Sequence, residues 1–274
     1  LWGMDISEDG SQVVICGGID DPNISGEIVT VETSYLTGGS GTPNSIYTSN
    51  MPTDCSLSPN GDVVATTLRN FQNNQNQDLV IAHSIPELQP LWERSIGGSE
   101  ATAWAIDWDV SGQGYTIGWN RPNEGVISHF NLNDGQVEWY AAIPQNISSL
   151  SWSEQGDMVV VGLHDPGRMM FFDSEGFMLD DVGWHSFVNG GQGVPADVLD
   201  VAVSSSGLSA SSGRDGTIEI WKYDSEGLNF HSRLGTSLTR EIAISNFDFS
   251  IAFADSGGVV SIWDIDSGMR IRQC

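Results

Sequence analysis

The amino-acid sequence predicts an all-β fold of about six four-stranded antiparallel blades, on three observations. A short motif, two apolar residues flanking a small one, recurs six times. Its copies lie 51, 51, 44, 51 and 41 residues apart, close to the length of a four-stranded blade with its loops. The intervening segments alternate apolar and polar residues between turns of Asp, Ser, Asn and Gly, and no long amphipathic helix pattern interrupts them. Together these specify a β-propeller, with seven blades if the chain is truncated.

The motif reads MDISEDGSQVV from Met4, CSLSPNGDVV from Cys55, IDWDVSGQGYTI from Ile106, LSWSEQGDMVV from Leu150, VAVSSSGLSA from Val201 and IAISNFDFSIA from Ile242. In register, one apolar column holds Ile6, Leu57, Trp108, Trp152, Val203 and Ile244, and these six are expected to be buried. A second column, two residues earlier, holds Met4, Cys55, Ile106, Leu150, Val201 and Ile242. Between them lie only small or short residues: Asp5, Ser56, Asp107, Ser151, Ala202 and Ala243. Inner strands converging on an axis leave little room for anything larger. Third strands follow at 26–31, 78–83, 125–130, 168–173, 216–221 and 258–263, and weaker fourth runs after most of them. The chain reads as one domain, 1–274, with blades near 1–51, 52–99, 100–145, 146–195, 196–238 and 239–274. Either the ring closes without a clasp shared between the termini, or residues beyond Leu1 or Cys274 complete a seventh blade.

The last two units, GRDGTIEIWKYDSEG at 213–227 and SGGVVSIWDIDSG at 256–268, carry the Asp-Gly turn or its equivalent, a strand and a terminal Trp; Trp263-Asp264 is the signature dipeptide. In these units the chain resembles WD-repeat propellers. The resemblance implies that Asp215 and Trp221 belong to a structural hydrogen-bond set within the blade. The Gly-His pair that opens the repeat in that family is missing, so the full set is not expected to form. The middle of the chain, LWERSIGG at 91–98 and VEWYAAIP at 137–144, is more similar to quinoprotein-type propellers. Both resemblances imply a fold more than an activity.

Thirty-six acidic against ten basic residues give a formal net charge of -26. Such a surface repels nucleic acid and anionic lipid and favours cations and basic proteins. Salt adaptation accounts for the same composition. No run reaches the roughly 18 apolar residues that span a bilayer. Cys16, Cys55 and Cys274 show no metal spacing and are expected to be free thiols. The chain opens at Leu1, which reads as part of a longer product, and it carries sequons at Asn23 and Asn146. An extracellular or cell-surface location and a salt-rich cytoplasm both stay open.

The first-to-second turns are uniformly tight, whereas longer connections at 18–25, 69–77, 119–124, 163–167 and 181–197 are expected on the opposite face. Binding residues concentrate on such loops. Trp184, His185, Phe187, His164, Trp119, Arg121 and Phe71 are the candidates. Trp184 and Phe187, in a Gly-rich insertion, either anchor a partner or fold down as a plug. His164 and His185 fall on one predicted face of neighbouring blades and are weak metal candidates. Asp54, Asp200 and Glu241, with Asp5 and Asp107 two positions further along their strands, are expected to ring a channel mouth, where carboxylates can hold a cation.

No nucleophile elbow, phosphate loop or HExxH motif is present, and no catalytic residue or cofactor is assigned. The leading expectation is a non-catalytic protein-interaction scaffold. The alternatives are a quinoprotein-like propeller enzyme or small-ligand, glycan or metal binder, and a structural module of a cell-surface protein.

Overall fold

A computed structural model describes residues 3–21, 24–69, 78–96, 101–122, 124–189, 192–245 and 247–274. The chain divides into two compact units, Leu1–Pro144 and Gln145–Cys274. Each unit contains three antiparallel sheets in which consecutive strands pair as meanders.

The first unit begins with β1 (Gly3–Ile6), β2 (Gln12–Asp21), β3 (Ile24–Glu32) and β4 (Asn44–Thr48), with the short helix α1 (Thr33–Leu36) between β3 and β4. Its second sheet is β5 (Met51–Leu57), β6 (Val63–Arg69), β7 (Asp78–Ser84) and β8 (Pro90–Ile96). The third is β9 (Thr102–Trp108), β10 (Gly114–Arg121), β11 (Glu124–Asn131) and β12 (Val137–Ile143).

The second unit opens on a five-stranded sheet: β13 (Ile147–Trp152), β14 (Met158–Leu163), β15 (Gly167–Asp173), β16 (Met178–Asn189) and β17 (Gln192–Pro195). Next come β18 (Val198–Val203), β19 (Leu208–Gly213), β20 (Thr217–Asp224) and β21 (Gly227–Gly235). The last sheet is β22 (Thr239–Ile244), β23 (Ser250–Asp255), β24 (Val260–Asp264) and β25 (Arg270–Gln273). These are the six blades that the repeat spacing predicts, and the six third strands lie where the sequence places them.

Alternation sorts each blade's side chains onto two faces. Val14, Cys16 and Ile28 of the first sheet pack on Cys55, Leu57 and Val64 of the second. Ala65 and Val80 meet Ile106, Trp108 and Tyr115 of the third. In the second unit, Met158, Val160 and Phe171 pack on Val198, Val201 and Val203. Ala210, Ile218 and Ile220 then pack on Ile242, Ile251 and Phe253. In the second, third, fifth and sixth blades both apolar columns therefore point at the preceding blade.

Leu57, Trp108, Trp152 and Val203 are buried as expected, and Ile244 is half-buried. Ile6 departs from the expectation: it is 53% exposed, and Met4 in the second column is 65% exposed. Within its unit, the β1–β4 sheet has a neighbour on its other face only.

Five inner strands share an irregularity that the sequence did not disclose. Their registers shift by one residue at Pro52/Asp54, Ala103/Ala105, Ile147/Ser149, Val198/Asp200 and Thr239/Glu241. A bulge turns the backbone of its strand and re-aims the side chain beside it. The residues just past it are Asp54, Ala105, Ser149, Asp200 and Glu241.

Two segments expected as loops are hairpins instead. Pairing runs out to Asp21↔Ile24 and to Arg121↔Glu124, so the described residues of 18–25 and 119–124 extend the ladders. The tight first-to-second turns use Gly at positive φ, at Gly10, Gly61, Gly112, Gly156 and Gly207; the sixth uses Asp248 at φ 60°.

Candidate functional site

The insertion at 181–197 is not a Gly-rich loop. Strand β16 continues past the blade, and β17 returns beside it, pairing Ser186↔Pro195 through Asn189↔Gln192. The result is a β-hairpin arm on the fourth blade. Trp184 and Phe187 lie in β16, but their side chains fall outside the described residues, as does all of Phe71.

His185 sits at the root of the arm and is fully buried. Its Nδ1 lies 3.1 Å from Asp215 Oδ1 and 3.2 Å from Thr217 Oγ1, and its Nε2 lies 2.8 Å from Ser211 Oγ. With the proton on Nδ1, the ring donates to the Asp215 carboxylate and accepts the Ser211 hydroxyl. Burial would raise the Asp215 carboxyl, but hydrogen bonds from His185 and Thr217 outweigh it and hold the group below the ordinary range. Gly213 makes room for the ring: a Cβ there would lie 2.0 Å from His185 Nδ1.

This arrangement corrects two expectations. His185 is used by the fold and is not presented to a partner or a metal. The hydrogen-bond set around Asp215 forms without the Gly-His pair, because a histidine 30 residues earlier, on an extended strand, supplies the ring. Trp221 does not complete the set: among the described residues its indole N–H has no acceptor, and its ring packs edge-on against Phe230 at 5.2 Å. A Ser–His–Asp grouping invites comparison with nucleophilic catalysis, but Ser211 is fully buried and its hydroxyl meets the His185 ring.

Beside the root lies an exposed polar cluster. Asp197 Oδ1 is 3.4 Å from His164 Nδ1 and accepts the Asp165 N–H at 3.2 Å, while Oδ2 is 3.1 Å from Arg214 Nη1. Asp197 thus ties the β14–β15 turn to the β19–β20 turn across the base of the arm. His164 and Arg214 remain accessible. Arg168 pairs with Asp181 where the arm leaves the blade. His164 and His185 face different partners, and among the described residues no three His, Cys, Asp or Glu are placed to hold a metal ion.

Two further candidates lie in the first unit. Trp119 is buried and its Nε1 donates to Ser128 Oγ at 3.1 Å, so it is a core residue of the third blade. Arg121 is exposed, paired with Glu124, its guanidinium 5.9 Å from the Trp119 ring centroid.

The inner-strand acids have a different task from the expected cation ring. Asp5 Oδ2 accepts Ser56 Oγ at 2.8 Å and the Leu57 N–H at 2.7 Å, both on the next blade. Asp54 Oδ2 accepts the Ile106 N–H at 2.9 Å. Ser149 Oγ donates to Asp200 Oδ1 at 2.6 Å, and Asp200 Oδ2 accepts the Ile242 N–H at 2.8 Å. Each is a staple between neighbouring blades, satisfying N–H groups on the unpaired edge of the next inner strand. The sequence held the signal: Gly3 and Ala105, at the first staple position, are followed two residues later by Asp5 and Asp107. Asp54 and Asp200 are instead followed by Ser56 and Ala202.

These groups titrate abnormally. Burial raises Asp5 despite its hydrogen bonds. Burial likewise pushes Asp200 up to about 6 against bonds from Ser149, Ile242 and Val201. Glu241 keeps solvent access, yet desolvation by the surrounding strands and the Asp200 charge push it up to about 8, with Arg240 opposing.

No family model matches the chain, and no curated protein matches it. Among solved structures, the β-propeller domain of Cps50 (Swd1) from Myceliophteria thermophila is similar, with a TM-score of 0.72 at 15% identity over 96% of this chain and 83% of that one. At that identity the likeness concerns the fold alone, and it agrees with the six antiparallel blades: the chain has a WD-repeat-like β-propeller fold.

Proposed function

We propose that this propeller is a non-catalytic protein-interaction scaffold that engages its partner through the β16–β17 arm and the polar cluster at its base. The observation that carries this reading is the arm itself. The blade's own ladder does not need residues 186–195, yet their root is held by a buried hydrogen-bond set. A projecting hairpin on a rigid base offers shape and a strand edge to a partner at low ordering cost. Trp184 and Phe187 are the proposed anchors, since aromatic side chains dominate interface energetics where they fill pockets. His164 and Arg214 are the accessible polar groups beside them. The acidic surface favours a basic partner and speeds its approach at low salt.

The test compares intact protein with W184A/F187A, using quantitative capture followed by cross-linking of whatever is retained. The expected result is a partner cross-linked to 186–197 and lost from the double variant, with an unchanged melting temperature. A double variant that melts much earlier yet binds normally makes the two aromatics a plug and overturns their role as anchors. Cross-links confined to the tight first-to-second turns overturn the choice of surface.

A further inference from the structure

We infer that the turn between β22 and β23 is a second recognition surface, at the other end of the strands from the arm, and that it takes a basic segment of a protein partner. The chain supplies its own comparison. The first-to-second turns of the first, second, third, fourth and sixth blades share one hydrogen-bond pattern, in which the N–H of Gly10, Gly61, Gly112, Gly156 or Asp248 donates to the carbonyl three residues earlier. In four of them the residues on either side of that glycine are polar: Asp9 and Ser11, Asn60 and Asp62, Ser111 and Gln113, Gln155 and Asp157. In the sixth blade the same two positions hold Phe247 and Phe249, which are 78% and 69% exposed. Their ring centroids lie 6.5 Å apart, and this contact leaves both rings in water. Between them Asp248 takes φ 60°, where the other four turns use Gly at 66° to 73°. That conformation is unfavourable for an L-residue with a side chain. Turn geometry therefore asks for none of these three residues, and an exposed aromatic pair of this kind marks a contact surface.

The surroundings decide the partner. Phe249 stands two residues before Ile251, on the side of β23 that packs on the β18–β21 sheet, so the surface belongs to the second unit. Its carbonyl accepts the Ile265 N–H at 3.1 Å, which sets the aromatic turn against the β24–β25 turn. There the Asp266 side chain is 85% exposed, and Met269, which closes that turn, is exposed as well. Asp248, Asp264 and Asp266 thus place three carboxylates on the two turns, and Asp248 Oδ1 has no hydrogen-bond partner among the described residues. The bases nearby are His231, 3.8 Å from Asp266, and Arg270 at the start of β25. Aromatic faces attract cations that come within about 6 Å, and carboxylates beside them add to the attraction. An arginine or lysine stacked on Phe247 or Phe249, with an apolar neighbour against Met269, meets all of these groups. The net charge of -26 speeds the approach of such a segment and repels an anionic lipid surface.

Fluorescence polarisation on the intact 274-residue chain tests this, with a labelled peptide of alternating arginine and leucine as the probe. The same peptide with glutamate for arginine, and phosphatidylcholine vesicles, are the comparisons. F247N/D248G/F249D rebuilds the Asn60-Gly61-Asp62 turn of the second blade; it removes one carboxylate and adds one, so the net charge is unchanged. The expected result is that the arginine peptide binds the wild type and binds the triple variant about tenfold or more weakly, as loss of an aromatic anchor brings. The triple variant should melt no earlier than the wild type, and D266N should bind the peptide several-fold more weakly. W184A/F187A should bind it as the wild type does, so failure of the arm as a binding surface leaves this surface standing. If the triple variant melts early, F247Q, matching Gln155 of the fourth blade, replaces it. A wild type that holds the arginine peptide no better than the triple variant overturns the proposal. So does equal binding of the glutamate peptide, loss of the arginine peptide from W184A/F187A, or vesicle binding that the triple variant abolishes, which would make the turn a membrane contact.

Discussion

Asp200 accepts the backbone N–H of Ile242 at 2.8 Å, across the joint between two blades and 42 residues along the chain. The same carboxylate receives the Ser149 hydroxyl at 2.6 Å from the blade before. One side chain therefore ties three successive inner strands together. D200A leaves a buried N–H and a half-buried hydroxyl without their acceptor, at about 1–3 kcal/mol for a fully buried group in the general case. We expect a loss of about 2 kcal/mol or more, read as a lower urea midpoint with an unchanged slope. A variant as stable as the wild type removes the staple from the account of stability.

The acid pair Asp200 and Glu241 also sets a pH dependence. Their folded pKa values, about 6 and about 8, lie above the ordinary 3.8 and 4.5. Between those limits the folded state holds more protons than the unfolded one, so this contribution is complete below about pH 4 and is lost as pH rises through 6 and 8. Asp215, Asp255 and Asp264 have lowered values and act in the opposite sense, losing their contribution as pH falls below the ordinary carboxylate range. Stability should peak in mildly acidic solution. Urea titrations at pH 5 and pH 8 on wild type and D200N/E241Q check this: the wild type should weaken toward pH 8 and the variant should weaken less.

His185 and Trp221 should separate cleanly. H185A leaves the buried Ser211 hydroxyl without its partner and takes one of several partners from Asp215, which keeps Thr217, and should cost about 2 kcal/mol. W221F removes an indole N–H that has no acceptor and should cost about 1 kcal/mol or less, mainly through lost volume. G213A should act like H185A, because its Cβ takes the space of the ring. Thermal melts rank the three, and a W221F loss as large as that of H185A would contradict the assignment.

Native thiol counting should find one reactive cysteine of three. Cys274 is exposed, whereas Cys16 and Cys55 are buried in the joint between the first two blades. Burial, and then the neighbouring Cys16, raise the Cys55 thiol well above its ordinary value, which suppresses the reactive thiolate. A thiol-specific chromophore should titrate one group in the folded protein and three in denaturant. Two or three in the folded protein would mean that this joint opens.

Salt should stabilise the fold. With 36 acids against 10 bases, repulsion opposes compactness, and screening relieves it. The melting temperature should rise between dilute buffer and molar sodium chloride, as differential scanning calorimetry would record.

Strand number, strand direction and the burial columns from Leu57 to Val203 were legible in the sequence. Period-two alternation is a local property, and six copies in register report it six times. The single carboxylate moving between two inner-strand positions was legible too, but its purpose was not: Asp54 and Asp200 in a sequence look like ligands for a cation. Only the packed structure shows that the bulges at Thr53 and Leu199 turn them toward the N–H groups of Ile106 and Ile242. His185 was visible as a histidine in a Gly-rich insertion, yet its burial against Ser211 and Asp215 depends on where an extended strand docks. The exposure of Met4 and Ile6 was equally beyond local reading, since their pattern matches that of buried Cys55 and Leu57. The chain's alternation determined which residues share a face. The tertiary structure decided what each face meets, because burial and hydrogen-bond partners are set by neighbours 26 to 52 residues away rather than by the residues alongside.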